Sequence, residues 1–291
     1  MGIADSLKRG FRLLSEVIDE GMVFGKKHIK AVIGYQLVSM IAALAAMTVA
    51  GIGIFIAMVF VLQYSDIAAF LITAVLLIAG LLVGGTYSMA ASLGAIEFIY
   101  NGGKKAGYFE GKNVNLAFRW ISFWLVAAIS VAALAILIAL GAVYLDTTGT
   151  IGIILAVAAY AVFLLIAILL GIMLYYSNQE IAIKRLGPVA AIKSSIKVFR
   201  NNFWETLVFA VLVAVGSALV QIPVAIVVSG ITQLIMVASV ATAVLAILGI
   251  IVAIIGVAIR IAVALLVESA ALILKVKFYQ KITRAKKKTS A

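Results

Sequence analysis

No cysteine occurs among the 291 residues. A disulfide framework, a thiolate nucleophile, a haem thioether and a cysteine metal site are therefore excluded, and thiol usage says nothing about redox compartment. Histidine is nearly absent too. The single residue, His28, cannot supply the two imidazoles of a paired-histidine zinc motif. Charge is scarce: 12% of residues are Asp, Glu, Lys or Arg, where a soluble domain carries about a quarter. With 66% hydrophobic residues and a mean hydropathy of +1.26, there is too little polar surface to present to water. A water-soluble enzyme, a disordered chain and a fibrous repeat are excluded, which leaves a multi-pass integral membrane protein. The first 30 residues are charged and amphipathic, without a short apolar core and a small-residue cleavage site, so the first spanning helix is expected to be an uncleaved anchor.

A spanning helix needs about 20 apolar residues. The hydrophobic runs predict six, at 31–63, 67–100, 121–145, 151–176, 204–228 and 241–275. Polar breaks separate them at Tyr64-Ser65-Asp66, Asn101-Gly102-Gly103, Asp146 to Thr150 and Ser229-Gly230. The apolar run from Ile231 to Leu274 is too long for one ordinary span, and charge decides how to divide it. Of the 23 Lys and Arg residues, six fall in 1–30, four in 104–119, five in 184–200 and seven in 275–288. The remaining one is Arg260, and the breaks at 64–66, 146–150 and 229–230 hold none. The positive-inside rule makes every basic cluster cytoplasmic and the three breaks external. Both termini are then inside, which requires an even number of spans. A short outer or re-entrant segment near 231–240 followed by one long sixth helix satisfies this.

The expected fold is thus all-α, six spans arranged as three hairpins, with a cytoplasmic amphipathic segment at 1–30, a transmembrane domain at 31–275 and a basic tail at 276–291. Each even-numbered span carries a Glu near its inner end, Glu97, Glu180 and Glu268, followed by Lys104, Lys184 and Lys275. Either the hairpins arose by duplication, or these are acids sitting beside lysines at the inner headgroups.

Two segments are amphipathic at helical spacing. In the first, Ile3, Leu7, Phe11, Leu14 and Ile18 form a stripe, widened by Leu13 and Val17, opposite a mixed-charge side that includes Arg9, Glu16 and Glu20. It suits the headgroup plane or the inner mouth of the bundle. In the second, Pro188 fits a first helical turn. Val189, Ile192, Ile196 and Phe199 line one face, and Lys193, Lys197 and Arg200 line the other. Phe203-Trp204 then supplies an aromatic anchor. Lys193, Lys197 and Arg200 are candidate contacts for anionic headgroups, at about 1 kcal/mol each near the surface. Nucleic acid is not an expected partner, because topology accounts for the net charge of +12.

The same stretch, from Leu186-Gly187-Pro188-Val189-Ala190-Ala191 through Ser194-Ser195 to Phe203-Trp204-Glu205-Thr206-Leu207, resembles the signature of the glycerophosphoryl diester phosphodiesterase membrane-domain family and its uncharacterised archaeal relatives. The likeness runs without gaps from Leu186 to Leu207. It departs at Ile196, where an aromatic residue is common, and at Lys184-Arg185, where an acid followed by Gly is usual. The resemblance implies the six-span membrane module. It does not extend to the phosphodiesterase barrel of fused members, whose histidine pair this chain lacks.

Arg260 is the sharpest polar outlier. It stands 15 residues before Lys275, about 22 Å along a helix. Burial near a helix centre costs about 2.5–3.5 kcal/mol even on the lenient insertion scale, so a partner or a water-filled cavity is expected. Gln221 and Glu268 complete the candidate intramembrane polar site, with Asp66, Asp146 and Glu205 as other potential partners. Its role is a ligand site or a lock between helices. Gly80 and Gly84 form a GxxxG that is expected to pack within the fold, and Pro223 is expected to kink the fifth span. No paired carboxylates, Ser-His combination or metal cluster points to an enzyme, and no cofactor is expected. The expected role is a non-catalytic cell-membrane scaffold or accessory module. It engages anionic lipid and, as a further partner, a second copy or another membrane protein. The alternative is a transporter or channel for a lipid or small solute, with its polar cavity near Arg260.

Overall fold

The computed structural model describes residues 3–61, 66–104, 107–125, 171, 174–239 and 243–289. Every regular element among them is a helix. In chain order these are α1 (Ile3–Val61), α2 (Asp66–Tyr100), α3 (111–125), α4 (Ser177–Lys184), α5 (Pro188–Asn201), α6 (Phe203–Ser239) and α7 (Ala243–Thr289). Four contain stretches long and apolar enough to cross a membrane: Lys8–Phe55, Ile72–Tyr100, Phe203–Ile235 and Gly249–Thr283. The expected third and fourth spans lie, but for their ends, outside the described residues. The chain divides into two compact units, Met1–Leu37 with Ile99–Lys104 and Asn202–Ala291, and Val38–Phe98 with Lys105–Asn201.

In the first unit α6 and α7 run antiparallel. The rings of Phe209 and Phe278 stack at 4.2 Å, and a Cβ on Gly256 would stand 2.7 Å from a Val228 methyl. The first turns of α1 lie against both helices through small residues, Gly10 beside Glu205 and Val208, and Gly21 beside Leu274. Lys281 joins Glu16 at 2.6 Å and Glu20 at 3.0 Å, and Arg9 lies 3.8 Å from Glu205.

Three expectations are corrected here. The amphipathic N-terminus is not a separate element: α1 continues for 59 residues, because nothing between Lys26 and Ala31 interrupts helical hydrogen bonding. Its buried stripe is Gly10, Val17, Gly21 and Phe24, while Phe11 is 56% exposed and Ile18 is also exposed. Close helix approach selects the face carrying glycines over the one carrying larger apolar side chains. Finally, Ser229-Gly230 is not a break. Helix α6 runs through Pro223 and on to Ser239, so 231–239 is its last turns and not a separate segment. The polar side chains there satisfy themselves: Thr232 donates to the Val228 carbonyl at 2.7 Å, and Ser229 accepts from Arg260.

In the second unit the GxxxG packs intramolecularly. A Cβ on Gly80 would lie 2.6 Å from that of Ala50, and one on Gly84 would lie 2.6 Å from that of Ala46. One turn further along α2, the Ser39 hydroxyl meets the Ser88 carbonyl at 2.9 Å and the Ser88 hydroxyl at 2.8 Å. The C-terminal end of α2 is then almost wholly buried from Met89 to Phe98. By contrast, α6 turns large apolar side chains outward: Leu219, Ile226 and Leu234 are 71%, 66% and 73% exposed. That surface is unfavourable in water and matches a hydrocarbon surround.

Candidate functional site

The basic helix α5 is set by a tight joint. Helix α4 ends at Arg185, whose backbone is left-handed (φ 56°, ψ 34°) and whose N–H donates to the Ile181 carbonyl at 3.0 Å. Left-handed helix ends normally take glycine, and a side chain there costs about 1 kcal/mol or more. What offsets the strain is the guanidinium. It donates to Glu97 at 2.6 Å and to the Asn113 side chain, tying the joint to α2 and α3. Leu186-Gly187 then leads into α5, where Pro188 occupies the first turn and the Ala191 N–H reaches the Gly187 carbonyl at 2.9 Å.

A second clamp lies beside the first. Glu180 is completely buried. It receives Lys184 at 2.7 Å from its own helix and the Ser194 hydroxyl at 2.7 Å from α5. The neighbouring Ser195, also wholly buried, accepts the Tyr176 N–H at 3.1 Å. A buried carboxylate is tolerable only with this company. Two adjacent serines, one on the carboxylate and one on a backbone donor, fix the roll of α5 about its axis.

That roll presents Lys193, Lys197 and Arg200 together, at i, i+4 and i+7, and all three are exposed. The sequence places them on one face, and the structure keeps them there. The apolar row is only partly used for packing. Ala191 and Ser195 form the buried line, Ile192, Ile196 and Phe199 are half-buried, and Val189 is 55% exposed. A cationic row thus borders an uncovered apolar edge, the combination that lets a helix lie at a bilayer surface. Around the joint, Gln179 Oε1, Ser177 Oγ, Asn113 Nδ2 and Glu97 Oε2 are buried without a hydrogen-bond partner among the described residues.

The other candidate residues lie in the first unit. Arg260 donates to the Ala225 carbonyl at 2.8 Å and to the Ser229 hydroxyl, both on α6. Gln221 lines the same cavity, of about 310 Å³, without bonding the guanidinium. Glu268 is exposed two turns further along α7 and is not brought to Arg260. Of the other partners considered, Glu205 faces Arg9 instead, and the side chains of Asp66 and Asp146 lie outside the described residues. Among the described residues no cluster of three or more metal-ligating His or acidic side chains occurs.

Sequence reasoning missed Arg185, Asn113 and the division of labour between Ser194 and Ser195. One signal was available. Lys184-Arg185 is where the chain departs from the family pattern it resembles, and those two cations are the ones that neutralise Glu180 and Glu97. No protein-family model matches the chain, and comparison with curated proteins and with solved structures finds no similar one.

Proposed function

We propose that the chain is a multi-pass protein of the cell membrane. In this reading six spans form three hairpins with both termini cytoplasmic, and the protein serves as a non-catalytic scaffold that gathers anionic lipid on α5. It is a membrane module of the kind its 186–207 segment resembles, working beside a second copy or another membrane protein. The carrying observation is the exposed row of Lys193, Lys197 and Arg200 on a helix whose orientation is fixed by Ser194 on the buried Glu180 carboxylate and by buried Ser195. A flexible topology signal needs no such mount. Three cations at about 1 kcal/mol each give about 3 kcal/mol, roughly a hundredfold preference for anionic over zwitterionic lipid.

Native mass spectrometry of the chain released from mixed phosphatidylcholine and phosphatidylglycerol nanodiscs measures that preference. The combined variant Lys193→Glu, Lys197→Glu and Arg200→Glu is expected to lose the phosphatidylglycerol held by α5, a site weakened about a hundredfold, at equal folding. Unchanged retention would mean that the basic row serves topology alone. The transporter reading draws on a different observation, the cavity beside Arg260.

A further inference from the structure

We propose that Arg260 forms an anion site in the groove between α6 and α7, taking the phosphate of an outer-leaflet lipid headgroup or a free phosphate. The inference rests on reading α6 and α7 as spanning helices, and is otherwise independent of α5.

The first argument is level. The antiparallel pairing sets Phe209 against Phe278, Val228 against Gly256 and Ser229 against Arg260. Lys275 stands well above Trp204 and near the level of Lys26, Lys27 and Lys30, because Gly21 and Phe24 of α1 pack on Leu274 and Lys277, so these lysines mark the inner headgroup boundary. Measured along α7, Arg260 stands about 22 Å from Lys275, within about 8 Å of the far side of a ~30 Å hydrocarbon layer. Side chains lean toward a helix's N-terminus, and α7 descends from its outer end, so the guanidinium points outward. Arg260 thus comes within side-chain reach of the outer headgroups.

The second argument is valence. Nη2 uses its two hydrogens on the Ala225 carbonyl and the Ser229 hydroxyl, and neither partner carries charge. Among the described residues no hydrogen bond or ion pair engages Nη1 or Nε, and Glu268 is about 12 Å away along the same helix. The cation is thereby anchored but not neutralised, with a forked set of donors of the kind that matches phosphate oxygens. The cavity supplies the space. At about 310 Å³ it lies at the small end of ligand-pocket volumes, and it descends past Val224 and Val263 to Gln221. A headgroup phosphate at Arg260 would place the start of an acyl chain along that apolar wall. Gly256, one turn from Arg260, permits the helix approach that brings Ser229 within reach.

The test uses the full chain carrying Lys193→Glu, Lys197→Glu and Arg200→Glu, so that α5 contributes nothing. After release from phosphatidylglycerol-containing nanodiscs it is expected to retain one phosphatidylglycerol by native mass spectrometry. Adding Arg260→Met should abolish that lipid, and Arg260→Lys, which keeps the charge but not the fork, should weaken it about tenfold. A second arm titrates inorganic phosphate calorimetrically into the same chain in a zwitterionic detergent. Binding of phosphate that Arg260→Met removes, without lipid retention, assigns the site to a free anion. If lipid and phosphate binding are both absent, or both survive Arg260→Met, the proposal is overturned. Should Arg260→Met fail to fold, unchanged binding in Arg260→Lys overturns it equally. Failure to enter nanodiscs at all would refute the spanning reading, and this site with it.

Discussion

Replacing Arg185 by glycine separates two opposing effects at one residue. Glycine adopts the left-handed conformation of φ 56° freely, which returns about 1 kcal/mol. Against that, the guanidinium no longer reaches Glu97 or Asn113. The two ion-pair partners are only 32% and 22% exposed, so the stranded Glu97 carboxylate is poorly hydrated. Removing one partner of a buried pair costs about 3–5 kcal/mol, and partial exposure places this case at the lower end. The net expectation is a loss of about 2 kcal/mol, or about 4–8 °C in thermal midpoint by circular dichroism in detergent. The double variant Arg185→Gly with Glu97→Gln removes the stranded charge while keeping the relaxed backbone, and should recover at least half of that loss. A stabilising Arg185→Gly alone, or a double variant no better than the single, would refute the claim that Glu97 holds Arg185 in its strained conformation.

Other substitutions probe the same packing. Lys184→Ala removes the cation beside buried Glu180 and should cost about 2–3 kcal/mol, largely recovered by adding Glu180→Gln; thermal unfolding of the pair checks this. Ser195→Ala removes the hydroxyl that accepts the Tyr176 N–H, at about 1–3 kcal/mol, and should loosen α5, read as faster amide exchange across 188–201. Gly84→Leu drives a side chain into Ala46 and the Ala42 and Ala43 carbonyls, so it should destabilise by about 1–3 kcal/mol or more while leaving the oligomeric state by light scattering unchanged. A change of oligomeric state without loss of stability would instead place that face between protomers.

Elements governed by local pattern were legible in the sequence. The apolar runs at 67–100 and 204–228 fall within α2 and α6, and the run from Ala31 continues to the end of α1 at Val61. The i, i+4, i+7 spacing found the exposed row of α5, and GxxxG found the contact of α2 with α1. Helix ends were less legible. Ser229-Gly230 reads as a break, yet a glycine costs only about 1 kcal/mol in a helix interior, and Arg260 supplies a partner for Ser229 that no local pattern encodes. The N-terminal stripe misled for a related reason. Hydrophobicity selected Phe11 and Ile18, whereas packing used Gly10 and Gly21, whose value lies in what they lack. Least legible was the joint at Arg185. Its partners, Glu97 and Asn113, are 88 and 72 residues away, and a long-range ion pair leaves no periodicity.

The central claim is that α5 lies at the inner headgroups of a membrane-spanning chain. The absence of native cysteine makes a direct measurement straightforward, with single cysteines at Lys197 and Ser65 and a membrane-impermeant thiol reagent. The account predicts that Lys197→Cys is labelled only in inverted membrane vesicles and Ser65→Cys only in intact cells. Labelling of Lys197→Cys from the outside of intact cells would contradict it.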